Sequence, residues 1–268
     1  MTARDLEREG SHSAHAELGE QIRSQRLAKN GEGAPSAVHV APAAVGLRAI
    51  AELMQALADQ GIRYCHWKSN LRLAVSLDGR TDLDLLVDRR DALRFRALLL
   101  EHDVKPVLAP PGKRYPGLED YLGFDAESGR MFHLHVHYQL VLGEQFVKNY
   151  RLPLEERFLA SARLRDGVMV PAPELELIVL TLRALLKYRD RDVVKDVLTI
   201  RSPGIPEPIL EEVRYLLSQT TTEQVERALD AVAGVVAADV VQEALHLLTK
   251  SPRAGYRLFG LRRRTRQA

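Results

Sequence analysis

Cysteine is almost missing from this chain. Cys65 is the single one among 268 residues, so no internal disulfide can form. That usage fits a reducing compartment, and the expectation is a cytoplasmic protein. Cys65 sits in an apolar run, where a lone cysteine serves as a small core residue. No apolar stretch approaches the ~18 residues that a membrane span requires, and no basic-then-apolar leader opens the chain. A phosphate-binding P-loop is missing too. Gly112-Lys113-Arg114 is the nearest approach, but Val107 stands where the first glycine belongs and no Ser or Thr follows the lysine. Intrinsic kinase chemistry is thereby excluded. There is no His-Glu-x-x-His and no cysteine cluster of the kind that holds structural zinc.

What is present is ordinary for a globular protein: 46% hydrophobic and 28% charged residues. The net charge of +2 conceals an uneven distribution. Lys250, Arg253, Arg257, Arg262, Arg263, Arg264 and Arg266 lie in an acid-free tail, which leaves the rest of the chain net negative. Such a tail attracts phosphate, nucleic acid or anionic lipid. A solvated end is the preferred reading, and nucleic acid is not the favoured partner.

Four regions follow from the pattern. Residues 1–42 are polar, carry no sustained apolar period and read as a disordered extension. Residues 43–170 read as an α/β domain. A helix is expected through Val45, Leu47, Ile50, Leu53, Met54 and Leu57, ending near Gly61. Strands are expected over 62–67, 82–87, 104–108 and 131–140, with a helix over 90–101 and a strand or hairpin over 163–170. Pro110-Pro111-Gly112 opens a loop, and Lys148-Asn149-Tyr150-Arg151 reads as a surface loop. Residues 171–250 read as helical, beginning with a long helix opened by Pro171 and Pro173. Further helices are expected near 190–199, 207–218, 222–233 and 237–249. Residues 251–268 form the basic tail. The fold class is α/β (α+β), a small mixed sheet flanked by helices and followed by a helical bundle.

Chemistry concentrates in two places. In Thr81-Asp82-Leu83-Asp84-Leu85-Leu86-Val87, two carboxylates sit two residues apart on a strand. They point to one face, about 6–7 Å apart along it. Two such groups repel unless a cation lies between them, which suits a divalent metal and phosphate chemistry. Upstream, His66-Trp67-Lys68-Ser69-Asn70 follows a β-like run and precedes a short apolar segment, where backbone N–H groups and a lysine can meet phosphate. The second place is Phe132-His133-Leu134-His135-Val136-His137, three imidazoles on one strand face. Imidazole is a common transition-metal ligand. Arg183 and Lys187 share a face of the long helix, which a nucleotide can contact.

The run Tyr64–Asn70, with twelve residues between Ser69 and the following Asp82-Leu83-Asp84, resembles the nucleotidyltransferase superfamily that includes DNA polymerase β and the minimal nucleotidyltransferases. It is similar to bacterial nucleotidyltransferase-like domains sometimes fused to a thymidylate-kinase-like domain. The resemblance spans about residues 45–190. It implies transfer of a nucleoside monophosphate from an NTP to a hydroxyl acceptor. Mg²⁺ (or Mn²⁺) would be held by Asp82, Asp84 and His135, with Lys68, Ser69, Asn70, His137 and Lys187 on the nucleotide. The sequence departs from the family twice: Lys68-Ser69 replaces Gly-Ser in the turn, and His135 replaces the third aspartate. Two other readings stay open. One is a non-catalytic nucleotide-binding module working with a separate P-loop kinase partner. The other is a metal hydrolase using the 133–137 histidines.

Overall fold

The computed structural model describes residues 46–144, 147–187, 205–250 and Leu261, all within one compact unit, Pro42–Ala268. The expectations for residues 1–42, for a helix near 190–199 and, apart from Leu261, for the tail 251–268 lie outside the described residues.

The fold is mixed α+β. Among the described residues, helix α1 (Arg48–Asp59) leads into β1 (Tyr64–His66), a 3₁₀ turn (Asn70–Arg72) and the short α2 (Leu73–Leu77). Then come β2 (Leu83–Val87), α3 (Ala92–Glu101), β3 (Lys105–Val107), β4 (Leu118–Asp125) and β5 (Arg130–His137). The five strands form one sheet in the order β1-β2-β5-β4-β3. Strand β2 runs parallel to β5, and every other pairing is antiparallel.

Alternation along these strands divides the sheet into two faces. Leu83, Leu85, Val87, Phe132, Leu134, Val136 and Tyr121 join one buried cluster. The apolar stripe of α1 (Ile50, Leu53, Met54, Leu57) and that of α3 (Phe95, Leu98, Leu99) belong to the same cluster. The 3–4 spacing of those helical residues is what lets each helix lie flat on the sheet. Asp125, at the end of β4, accepts the Ala49 N–H at 2.8 Å and so tethers the first turn of α1. Glycine is required at 123: its register partner is Phe132, and a Cβ there would meet the Phe132 ring at 2.1 Å.

Strand β4 is an addition to the expected strands, in the stretch after the loop that Pro110-Pro111-Gly112 opens. The Lys148–Arg151 stretch is not a loop. It lies in β7 (Val147–Leu152), paired with β6 (Leu140–Glu144) in a separate hairpin. Helix α4 (Glu155–Ser161) and the hairpin β8 (Arg163–Arg165)–β9 (Val168–Val170) follow. The α5 helix (Pro173–Lys187) is buried on nearly every side. Leu177 and Leu180 are covered as fully as the expected stripe of Leu175, Ile178, Val179, Leu182, Leu185 and Leu186. A helix apolar all round belongs inside a bundle. Here α6 (Glu207–Ser218), α7 (Thr222–Val232) and α8 (Ala238–Lys250) share its core with the β6–β7 hairpin and with Cys65, Trp67 and Leu86. A capping box starts α7: Thr221 Oγ1 accepts from Gln224 N, and Gln224 Oε1 accepts from Thr221 N. No helix among the described residues is long and apolar enough to cross a membrane.

Candidate functional site

The second face of the sheet carries the titratable groups. Asp84 on β2 lies opposite His135 on β5, and His135 lies opposite Asp120 on β4. The β5 alternation puts His133 and His137 on the same face, and Asp82 stands one residue before β2. Two rungs result. His133 Nδ1 is 2.8 Å from Asp82 Oδ1, and His135 Nδ1 is 3.0 Å from Asp84 Oδ1.

The rungs differ in solvation. The Asp82 side chain is 57% exposed and that of Asp84 only 12%. His133 also reaches Asp120 Oδ1 with Nε2 at 3.2 Å. Held between two carboxylates, first Asp120 and then Asp82, its imidazole is pushed up to about 9 and is doubly protonated at neutral pH. His137 closes on the inner rung, with Nε2 3.4 Å from His135 Nδ1. Asp84, His135 and His137 each offer a ligand atom within 4.8 Å of the others. Among the described residues this is the group able to hold a metal ion. Asp82 is outside it.

Lys68 completes the inner rung. Its Nζ is 2.6 Å from Asp84 Oδ1 and 4.9 Å from the centroid of the Trp67 ring. Burial alone would raise the Asp84 carboxyl. The Lys68 ammonium and the His135 hydrogen bond outweigh it and hold Asp84 well below the usual carboxylate range. Burial pushes the Lys68 ammonium down; Asp84 resists that shift, while the Arg183 guanidinium adds to it. Trp67 is anchored by its backbone N–H, which donates to the Asp84 carbonyl at 3.1 Å. The indole meets His137 edge-on at 4.9 Å.

The turn itself is unusual. Ser69 adopts the left-handed conformation at φ 60°, ψ 35°, a region non-glycine residues seldom enter. Asn70 is buried, and its donors serve an internal network. The Asn70 N–H donates to Glu176 Oε1 at 2.9 Å, and Nδ2 donates to Glu176 Oε2 at 2.8 Å and to the His66 carbonyl at 2.9 Å. The remaining Oδ1 therefore accepts, and His66 donates to it through Nδ1 at 2.8 Å. Burial holds His66 down, hence neutral. Thus Lys68 meets Asp84, Ser69 supplies the bend and Asn70 is committed to helix α5. The Lys187 side chain lies outside the described residues, as do those of Lys113, Lys148 and Asn149. Cys65 is fully buried with its thiol pushed far up, which leaves it no nucleophilic character.

Two functional candidates were not legible in the sequence. Asp120 enters the face only because β4 pairs with β5, and the pattern of Leu118–Asp125 did not read as a strand. Glu176 looks like a first-turn acid of a helix; nothing in the chain marks its partner 106 residues away.

No family model and no curated protein matches the chain. Among solved structures, that of the antibiotic-resistance factor ANT(2'')-Ia, a solution structure described as revealing substrate-regulated conformation dynamics, is similar. The identity is 14%, over 74% of this chain and 95% of that one, with a TM-score of 0.38.

Proposed function

We propose that this protein is a metal-dependent nucleotidyltransferase that moves a nucleoside monophosphate from an NTP to a hydroxyl acceptor. The observation that carries the proposal is the convergence of Asp84 Oδ1, His135 Nδ1 and His137 Nε2 on one sheet face, beside the Lys68 ammonium. One carboxylate oxygen and two imidazole nitrogens fit a divalent ion of the first transition row better than Mg²⁺, which prefers oxygen. Mn²⁺ is therefore the proposed ion. Asp84, His135 and His137 would hold it, with His137 in the place that the sequence motif gives to Asp82. When bound, the ion supplies charge neutralisation at the phosphates.

In transfer, the acceptor hydroxyl oxygen bonds to the α-phosphorus. The α–β bridging bond breaks, and pyrophosphate leaves with the electron pair. Asp82, exposed at the open end of the face, is placed to take the hydroxyl proton, and His133 holds it in position. Lys68 exchanges Asp84 for a phosphate oxygen as the nucleotide arrives, and Arg183 adds positive charge beside it.

One specific observation favours a second reading. The Lys68 ammonium lies 2.6 Å from the carboxylate oxygen that a metal would use. A module that binds nucleotide without turnover would retain such an internal ion pair. The α-³²P label separates the two readings. Transfer to acceptors in an extract, with Mn²⁺, and loss in Asp84→Asn are the results expected of the enzyme. A nucleotide-dependent rise in Tm with no transferred label supports the module. Metal binding with no nucleotide response overturns both and leaves the hydrolase reading of the histidine strand.

A further inference from the structure

Glu176 is a buried carboxylate that the proposed chemistry does not use. Both of its oxygens accept from the same residue, one from the Asn70 backbone and one from the Asn70 side chain. Asn70 ends a three-residue turn whose first member, Lys68, lies on Asp84 and whose middle member, Ser69, is left-handed. A left-handed conformation at a non-glycine residue persists only where its surroundings hold it. The fixings here include the Lys68–Asp84 ion pair and the bidentate grip of Glu176, beside the Asn70 bonds with His66 and Arg165. The Glu176 grip comes from α5, at the heart of the helical half.

We propose that Glu176 is a positioning residue: ionised, it clamps the Lys68-Ser69-Asn70 turn onto the metal-site face, and protonated, it loosens the turn. A neutral carboxyl keeps one acceptor oxygen free of hydrogen, so one of the two Asn70 donors loses its partner. Burial, with the groups that face Glu176, sets its proton exchange in the neutral range. Burial raises its carboxyl to about 7, and the Glu212 carboxylate on α6 pushes the same way. Asn70 opposes that shift with both of its hydrogen bonds, and Arg165 opposes it with its charge. Arg165, on β8, donates to the Asn70 carbonyl and, at 2.8 Å, to the Tyr215 hydroxyl of α6. Among the described residues the Cys65 thiol of β1 also faces Glu176, and burial keeps that thiol protonated. The catalytic consequence, a pH-gated release of Lys68 toward the nucleotide, rests on the nucleotidyltransferase reading. The movement of the turn does not.

Trp67 is the single tryptophan of the chain, and its ring touches the Lys68 ammonium, so its fluorescence reports the turn whatever the protein catalyses. Emission of the full-length protein, followed from pH 5.5 to 8.5, is expected to change with a midpoint near 7 and to be flat in Glu176→Gln. The variant at pH 8 should match the wild type at pH 5.5. Glu212→Gln, which leaves the clamp intact, should lower the midpoint by about one unit, because a neighbouring negative charge is gone. A wild-type emission constant over this range overturns the proposal. So does a titration that survives in Glu176→Gln, since it would then belong to the histidines around the indole. Should Glu176→Gln fail to fold, an unmoved midpoint in Glu212→Gln overturns it equally.

Discussion

The two faces of the five-stranded sheet are made from the same strands, alternating residue by residue, yet they obey different physics. One face is Leu83, Leu85, Leu134 and Val136, sealed under α1 and α3 with no exposure left. The other is Asp84, His135, Asp120 and His133, groups that tolerate their position only through one another. The first is held by area removed from water, which is additive and indifferent to pH. The second is held by pairing, so its stability depends on every member remaining in its charge state. The lesson is that one register fixes both: moving β5 by a single residue would bury the imidazoles and expose Phe132, Leu134 and Val136.

Breaking the sealed face should cost most. Leu134→Ala leaves a void with no room to collapse, and a loss of about 3–5 kcal/mol in urea unfolding is expected. Lys68→Ala is expected to cost about 3 kcal/mol, because Asp84 is left buried without its cation. Adding Asp84→Asn should recover most of it in the double-variant cycle, whereas no partner change rescues Leu134→Ala. A double-variant loss equal to the sum of the two single losses would show that the pair is not coupled. Gly123→Ala should cost about 2 kcal/mol by driving the Phe132 ring off the sheet. Near-UV circular dichroism should weaken along with it.

The smallest effect sharpens the contrast through pH. The His133 imidazole is raised from the ordinary 6.5 to about 9 by Asp120 and Asp82. A raised folded pKa contributes stability that is fully present below about 6.5 and is lost as pH rises through 9. His133→Gln should therefore lower stability by about 1 kcal/mol at pH 6 and by almost nothing at pH 10, the pair being partly exposed. A penalty of the same size at both values would assign His133 a packing role instead.

The sequence made some of this legible and hid the rest for definite reasons. Strand β2 was readable because aliphatics fill both faces once Asp84 has passed. Strand β5 was readable because His and aliphatic residues alternate strictly. Strand β4 was not, since Leu118–Asp125 places Leu and Phe on the open face beside Asp120, and Glu, Gly and Asp on the covered one. No period of two survives that mixture. The β6–β7 hairpin was hidden by the polar run Lys148–Arg151, whose backbone pairing is set by Leu140, Leu142 and Leu152 docking on the helical core.

What the sequence alone determined is local: the 3–4 stripes of α1 and α3, the turn at Asp78-Gly79, the spacing that puts Asp82 and Asp84 on one face, and the alternation that does the same for His133, His135 and His137. These follow from periodicity, a property of neighbours along the chain. Only the tertiary structure decided that Asp84 faces His135 across the β2–β5 pairing, that Lys68 lies on Asp84, that Asp120 joins His133 from β4, and that Glu176 grips Asn70 from 106 residues away. Each of those depends on which strands become neighbours and in what register. That choice is made by how the apolar faces close, and it leaves no mark at the polar positions it brings together.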